Sequence, residues 1–222
     1  MIVAMVERVG LVLAGGSGRR MGRPKGALLV EGRSLAANAA SLLGPLCGRV
    51  LISVPPEGRN PAPRYPIVRD AEPAGRGPLA GIDAAFAENE SSDLLVLACD
   101  YPQMTVRALQ ALLTADAADL DLVLLCDGNG RDHPLAALWK RSAAAAVREA
   151  VEDRRFKVRA LLADLSVRRI HPAEVDEVDL DRALINLNTP EDLAAIGVPQ
   201  EMQLDLESWD PGEPDETDPP GR

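Results

Sequence analysis

A chain of 222 residues and 23.6 kDa is the size of one larger α/β or all-β domain, or at most two small ones, and 46% hydrophobic with 26% charged residues excludes a wholly disordered or fibrous chain. A formal charge of -10, from 24 Lys+Arg against 34 Asp+Glu, excludes a protein that coats nucleic acid by general electrostatics, and 3% aromatics leave few platforms for stacking on bases or sugars. Three cysteines (Cys47, Cys99, Cys126), none in a CxxC, and two histidines (His133, His171) support neither a disulfide framework nor a zinc site, so the cysteines read as small buried hydrophobes.

In chain order, the largely apolar stretch from Val6 to Leu13 reads as a strand buried on both faces, and the apolar run from Val9 to Ala14 is too short to span a membrane, follows acidic Glu7 and has no basic region before it. The chain is therefore expected in the cytoplasm. A glycine-rich basic loop follows from Gly15 to Lys25. Ser34 caps a helix that runs to Leu43 and stops at Gly44-Pro45. Val50–Val54 is a short strand ended by Pro55-Pro56, and Pro66–Asp70 is another with an acid at its C-terminal end. Gly77-Pro78 opens a helix to about Glu88, with Pro78 in its first turn. Asp93–Asp100 is the clearest buried strand and again ends in an acid. A helix from Val106 to Leu113 and a strand over Leu122–Cys126 complete a β/α alternation, which implies a mostly parallel sheet with helices on both faces. An extended segment from Pro134 to Trp139, helices over Ala143–Val151 and Val158–Ala163, and a strand around Val167–His171 come next. The last ordered unit runs from Leu184 to Asn188, and Thr189-Pro190 starts a helix.

Composition changes after Val198. Residues 199–222 hold eight acids, one base and five prolines, too little apolar surface to offset the entropy of ordering, so a disordered tail is expected after a domain over residues 1–198. The tail carries -7 of the net charge and the domain only -3. Acidity therefore does not argue against a polyanionic ligand for the domain.

The loop Leu13-Ala14-Gly15-Gly16-Ser17-Gly18-Arg19-Arg20-Met21-Gly22-Arg23-Pro24-Lys25 has four bases and no acid. Its glycines let backbone N–H groups converge on an anion, and its bases neutralise phosphate charge, so a triphosphate is the natural guest. It is not a Walker A loop, because Lys25 is followed by Gly26 and no metal-binding hydroxyl is present. Nor does it complete a dinucleotide fingerprint, since Met21 stands where the third glycine belongs.

This loop, together with Gly77-Pro78-Leu79-Ala80-Gly81, Cys99-Asp100-Tyr101-Pro102, His133 to Trp139 and Asn186-Leu187-Asn188-Thr189-Pro190, resembles in order the nucleotidyltransferases that transfer NMP from an NTP. Within them it is most similar to the molybdenum cofactor guanylyltransferase family, over roughly residues 8–197. The resemblance implies a Rossmann-like three-layer α/β/α fold with a mostly parallel central sheet. It also implies that GMP passes from GTP to the terminal phosphate of molybdopterin. GTP and molybdopterin would be the substrates, Mg²⁺ the cofactor and molybdoenzyme maturation proteins candidate partners, with no nucleic acid or membrane.

By the same resemblance Leu13, Ala14 and Gly15 would contact the nucleotide and Gly16, Ser17 and Gly18 would wrap its phosphates. Arg20 and Lys25 would balance charge on the leaving pyrophosphate, and Asp100 would hold the metal. Ser53, which stands where the family often has Asn, and Asp70 would lie near the nucleotide. Asn186 and Asn188 would sit near a second metal or substrate group. Asn-x-Asn is the form implied for guanylyl transfer and Asp-x-Asp for cytidylyl transfer. Asp70 and Asp100 have a plainer reading as caps of the following helix or turn. The basic cluster Arg154, Arg155, Lys157 and Arg159 reads either as a solvated face or as part of the pterin phosphate site. Three alternatives stay open: cytidylyl transfer to the same pterin, NMP transfer to another small phosphorylated acceptor, and a non-catalytic nucleotide- or pterin-binding carrier.

Overall fold

The computed structural model describes residues 8–15, 24–30, 32–70, 77–187 and 192. The first strand, β1 (Val9–Leu13), is buried throughout, as its unbroken apolar run requires. After a two-residue hairpin, β2 (Leu29–Val30) and β3 (Arg33–Ser34), comes helix α1 (Leu35–Leu43). Ser34 Oγ accepts from Ala37 N at 3.1 Å, the N-cap expected from the sequence. Strands β4 (Arg49–Val54) and β5 (Ile67–Arg69) precede α2 (Pro78–Glu88), which has Pro78 at its start. Then follow β6 (Leu94–Ala98), α3 (Val106–Thr114) capped by Thr105, β7 (Leu122–Cys126) and β8 (Asp132–Trp139). The chain ends, among the described elements, with α4 (Ala144–Glu152), α5 (Val158–Leu161), β9 (Val167–Ile170) and the short α6 (Leu180–Ala183).

The nine strands form that hairpin and one seven-stranded sheet of order β5-β4-β1-β6-β8-β7-β9. All pairings in the large sheet are parallel except those of β8, which runs antiparallel to both β6 and β7. The mostly parallel sheet expected from the β/α alternation is present, with one reversed strand that the alternation did not announce. Right-handed crossovers put α1 and α3 on one face and α2, α4 and α5 on the other, giving three layers. Trp139 and Phe86 are the largest fully buried side chains of the core.

Pro134 lies inside β8, where a central strand has no use for a residue without an N–H. The β7–β8 register shifts between Leu124 and Leu125, so the proline sits in an irregularity, and its carbonyl accepts from Trp139 Nε1 at 3.0 Å. At the opposite edge of the sheet, Lys140 Nζ lies 2.7 Å from Asp93 Oδ2 and 2.8 Å from Asp116 Oδ1. These carboxylates hold the Lys140 pKa above its usual value against the lowering effect of burial. Residues 6 and 7 of the expected first strand, the Thr189-Pro190 helix start and the 199–222 tail lie outside the described residues. Among the described residues no helix is long and apolar enough to cross a membrane.

Candidate nucleotide site

Strand order sets where a ligand can bind. From β1 the chain steps outward to β4 and β5, then returns to the other side of β1 at β6, which makes β1 the switch point of the sheet. The C-terminal ends of these four strands lie on one edge. There a cavity of about 310 Å³ is lined by Leu13, Gly15, Lys25, Ser53, Asp70 and Asp100, six of the residues expected to bind nucleotide or metal. The start of α2, at Gly77 and Pro78, and Leu135 of β8 complete much of its wall.

Lys25 opens a 3-10 turn over Lys25–Ala27 that lies against the end of β1. A Cβ on Gly26 would come within 2.9 Å of Ala14 Cβ, so this approach requires glycine. Ala14 is buried and its N donates to Ser53 O at 3.1 Å. It thus supports the turn that carries Lys25, whereas the resemblance implies a nucleotide contact for it.

Lys25 Nζ lies 3.4 Å from Asp100 Oδ2 and donates to Leu187 O at 2.5 Å. Leu187 N in turn donates to Asp100 O at 2.8 Å. A segment from the far end of the chain therefore ties both charged residues of the site. Asp100 Oδ1 is buried and has no hydrogen-bond partner among the described residues. A buried carboxylate oxygen left without a donor is costly unless a cation satisfies it. Asp100 therefore fits a hard divalent cation that takes few protein ligands and several phosphate oxygens. Among the described residues no group of three or more His, Cys, Asp or Glu forms a metal cage, which agrees with that division of ligands.

At the other end of the cavity Ser53 Oγ donates to Asp70 Oδ1 at 2.8 Å. Burial pushes the Asp70 carboxyl above its usual pKa, and the Ser53 hydrogen bond opposes that rise. Neither acid caps α2 or α3: α2 is preceded by Gly77, and α3 is capped by Thr105.

Behind Asp100 lies a buried polar chain that sequence reasoning missed. Asn186 hydrogen-bonds the Tyr101 hydroxyl, which lies 3.1 Å from His133 Nδ1, and His133 Nε2 is 3.4 Å from Asp127 Oδ2. Burial raises the Tyr101 pKa to about 12 and lowers that of His133, so both rings are neutral at physiological pH. With Nδ1 accepting from the tyrosine and Nε2 donating to Asp127, the chain has one direction. Asn186 thus meets Tyr101, the chain neighbour of Asp100, from a position outside the cavity wall. The adjacency of Asp100 to Tyr101 and the His133-Pro134 pair were visible in the sequence, but nothing there joined them. Cys99 lines the cavity, yet burial drives its thiol pKa up to about 12, so it is inert there. Gly16, Ser17, Gly18, Arg20 and Asn188 lie outside the described residues.

Comparison with known proteins places this geometry. A family model for the MobA-like NTP transferase domain matches residues 10–172. The probable molybdenum cofactor guanylyltransferase of Bacillus subtilis is 30% identical over 199 residues, covering 86% of this chain and 95% of that protein. The corresponding probable enzyme of Mycobacterium tuberculosis is 34% identical over 197 residues, with 86% and 93% covered. Among solved structures, the molybdopterin-guanine dinucleotide biosynthesis protein A of Archaeoglobus fulgidus superimposes with a TM-score of 0.70 at 25% identity, over 84% of this chain and 95% of that one. With its glycine-rich basic loop and strand-end acids, the chain is thus a nucleotidyltransferase of the MobA-like NTP transferase family.

Proposed function

We propose that this enzyme transfers GMP from Mg-GTP to the terminal phosphate of molybdopterin and releases pyrophosphate. The carrying observation is the pairing, in one cavity, of the orphaned Asp100 Oδ1 beside Lys25 with the Ser53–Asp70 pair at the opposite end. Asp70 and Asp100 follow strands three positions apart in the sheet, roughly 14 Å at the usual strand spacing. That span accepts a nucleoside with its base toward Asp70 and its phosphates toward Lys25. A carboxylate accepts from the ring N–H and the exocyclic amine of guanine together, whereas cytosine offers only its amine, so Asp70 favours GTP over CTP.

The phosphate monoester of the acceptor is already anionic at neutral pH and needs no general base. Its oxygen attacks the α-phosphorus, the bond to the bridging oxygen of the β-phosphate breaks, and pyrophosphate leaves. Lys25 offsets charge on the departing group, and Arg20 from the basic loop is assigned the same task. Asp100 Oδ1 would hold Mg²⁺, which when bound supplies Lewis-acid charge neutralisation at the phosphates. The polar chain from Asn186 to Asp127 keeps Tyr101, and with it Asp100, in place. The neutral, buried His133 takes no part in proton transfer.

The catalytic unit is assigned to residues 1–198, with 199–222 as an appendage. The test is pyrophosphate release from purified protein with molybdopterin and GTP, ITP or CTP in turn. GTP is expected to exceed both, and Lys25→Ala and Asp100→Ala to lower turnover at least about a hundredfold each. CTP use above GTP use, or full turnover in both variants, would overturn the assignment.

A further inference from the structure

The basic cluster at residues 154–159 does not act as one surface. Arg155 is spent on Asp164, Asp153 and Glu149 at 3.3, 3.6 and 3.7 Å. Arg159, on α5, instead lines a second, open pocket of about 450 Å³ together with Arg131 from the β7–β8 hairpin and Arg169 of β9. One carboxylate, Asp132, shares the lining. It is already engaged by Arg169, through Nε at 3.0 Å and Nη2 at 3.1 Å, and by the Cys126 thiol at 3.2 Å. Among the described residues Arg131 and Arg159 have neither a hydrogen bond nor an ion pair from their side chains. The pocket thus holds three guanidinium groups against one carboxylate, an excess of two positive charges in a domain whose own net charge is -3.

Position matters as much as charge. Because β8 is reversed, the hairpin that carries Arg131 emerges at the same edge of the sheet as Asp100. Tyr101 and His133 stand between the two pockets, and the charges of Arg131 and Arg159 reach both rings. With Arg169 paired to Asp132, the charges of Arg131 and Arg159 are left to repel each other in one concavity, and an anion of charge about -2 relieves them. Arginine is also the residue suited to planar, multidentate recognition of anions.

We propose that the Arg131–Arg159–Arg169 pocket binds an anionic group of the acceptor other than the phosphate that attacks. The acceptor would then lie along the sheet edge from Asp100, across Tyr101, to the arginines. Resting on the guanylyltransferase reading, this assigns the pocket to the ene-dithiolate end of molybdopterin, with any oxometal group it carries. A mononucleotide or a simple phosphate ester has no second anion to place there, so the pocket selects the acceptor and is indifferent to GTP.

Two dissociation constants test it: that of molybdopterin, from its pterin fluorescence, and that of a non-hydrolysable GTP analogue, by equilibrium dialysis. In the full chain, Arg131→Ala/Arg159→Ala is expected to weaken molybdopterin binding on the order of a hundredfold, about tenfold for each guanidinium removed from the anion. GTP-analogue binding should stay within about twofold of wild type, and Arg131→Lys/Arg159→Lys should recover part of the affinity. Arg159→Gln alone, a change at an exposed side chain, should cost about tenfold and serves if the double variant does not fold. Equal molybdopterin affinity in wild type and the folded variants would overturn the pocket and leave the guanylyltransferase reading intact. Wild-type protein that binds the GTP analogue but not molybdopterin would overturn both.

Discussion

Gly81 is the residue whose replacement tests how the nucleotide cavity is built. It lies on α2 where that helix crosses the ends of β1 and β4. A Cβ there would overlap Ser53 Oγ and come within 3.0 Å of Ser53 Cβ and 3.1 Å of Leu13 Cδ2. In Gly81→Ala the helix gains about 1 kcal/mol of propensity. Against this stand about 1–3 kcal/mol of overpacking and about 1 kcal/mol for the Ser53–Asp70 hydrogen bond, broken as the hydroxyl turns away. The net expectation is a loss of about 2 kcal/mol, which moves a urea midpoint by roughly 1 M. Losing its Ser53 donor pushes the Asp70 carboxyl pKa higher still and leaves it less able to accept from a base, so the dissociation constant for GTP should rise about tenfold. Ser53→Ala in the same background removes the overlapping oxygen and should return part of the stability but none of the affinity. An unchanged midpoint together with unchanged GTP affinity in Gly81→Ala would refute this packing account, and so would a double variant no more stable than the single one.

Other expectations concern charge and the ends of the chain. His133 is held below its usual pKa of 6.5 by burial, so the unfolded chain takes up a proton on acidification before the folded one does. Its contribution is fully present above 6.5 and is lost as pH falls below that value, so urea midpoints measured from pH 7.5 to 5 should decline, and His133→Gln should flatten the decline. Lys140→Met leaves the Asp93 carboxylate without its ion pair and Asp116 with Arg8 alone, at 3.7 Å, and should cost about 3 kcal/mol in chemical denaturation. Because that cluster lies at the edge opposite the cavity, kcat per folded molecule should not change. Asp70→Asn replaces a desolvated carboxylate and should leave thermal stability equal or higher while weakening GTP binding in dialysis; tighter binding would remove Asp70 from the base end. Truncation after Val198 should leave pyrophosphate release intact, and a folded but inactive truncation would bring the acidic tail into the mechanism.

The elements that could be read in advance are those whose signal is local. Ser34 precedes an apolar-periodic stretch and does cap a helix, and the Leu94–Ala98 run announces a buried strand without any knowledge of its neighbours. The direction of β8 could not be read, because reversal changes partners and leaves the alternation of apolar residues as it was. Nor could the irregularity at Pro134, whose place in a central strand is explained only by the shifted register. In the site, Lys25, Asp70 and Asp100 were legible because charge at a strand's end has few other uses in an α/β sheet. The resemblance also singled out Asn186, but not its connection to Tyr101 and His133. Their link is a hydrogen-bonded chain between residues up to 85 positions apart, and no spacing rule encodes such a link. The division of the basic cluster at 154–159 was hidden for the same reason: sequence proximity grouped Arg155 with Arg159, and the fold gives one to structural ion pairs and the other to a pocket.

The pair of hydrogen bonds at Leu187 has a consequence for synthesis. A ribosome delivers Lys25 early, Asp100 midway and Leu187 only after all seven strands of the large sheet have emerged. A nascent chain halted at residue 183 would therefore contain the whole sheet and both charged groups, yet lack the peptide group that holds them at working distance. Competence arrives with the final stretch of the domain. Fragments released early are consequently expected to fold around the sheet while lacking the finished phosphate end, so they would not compete for nucleotide with completed molecules.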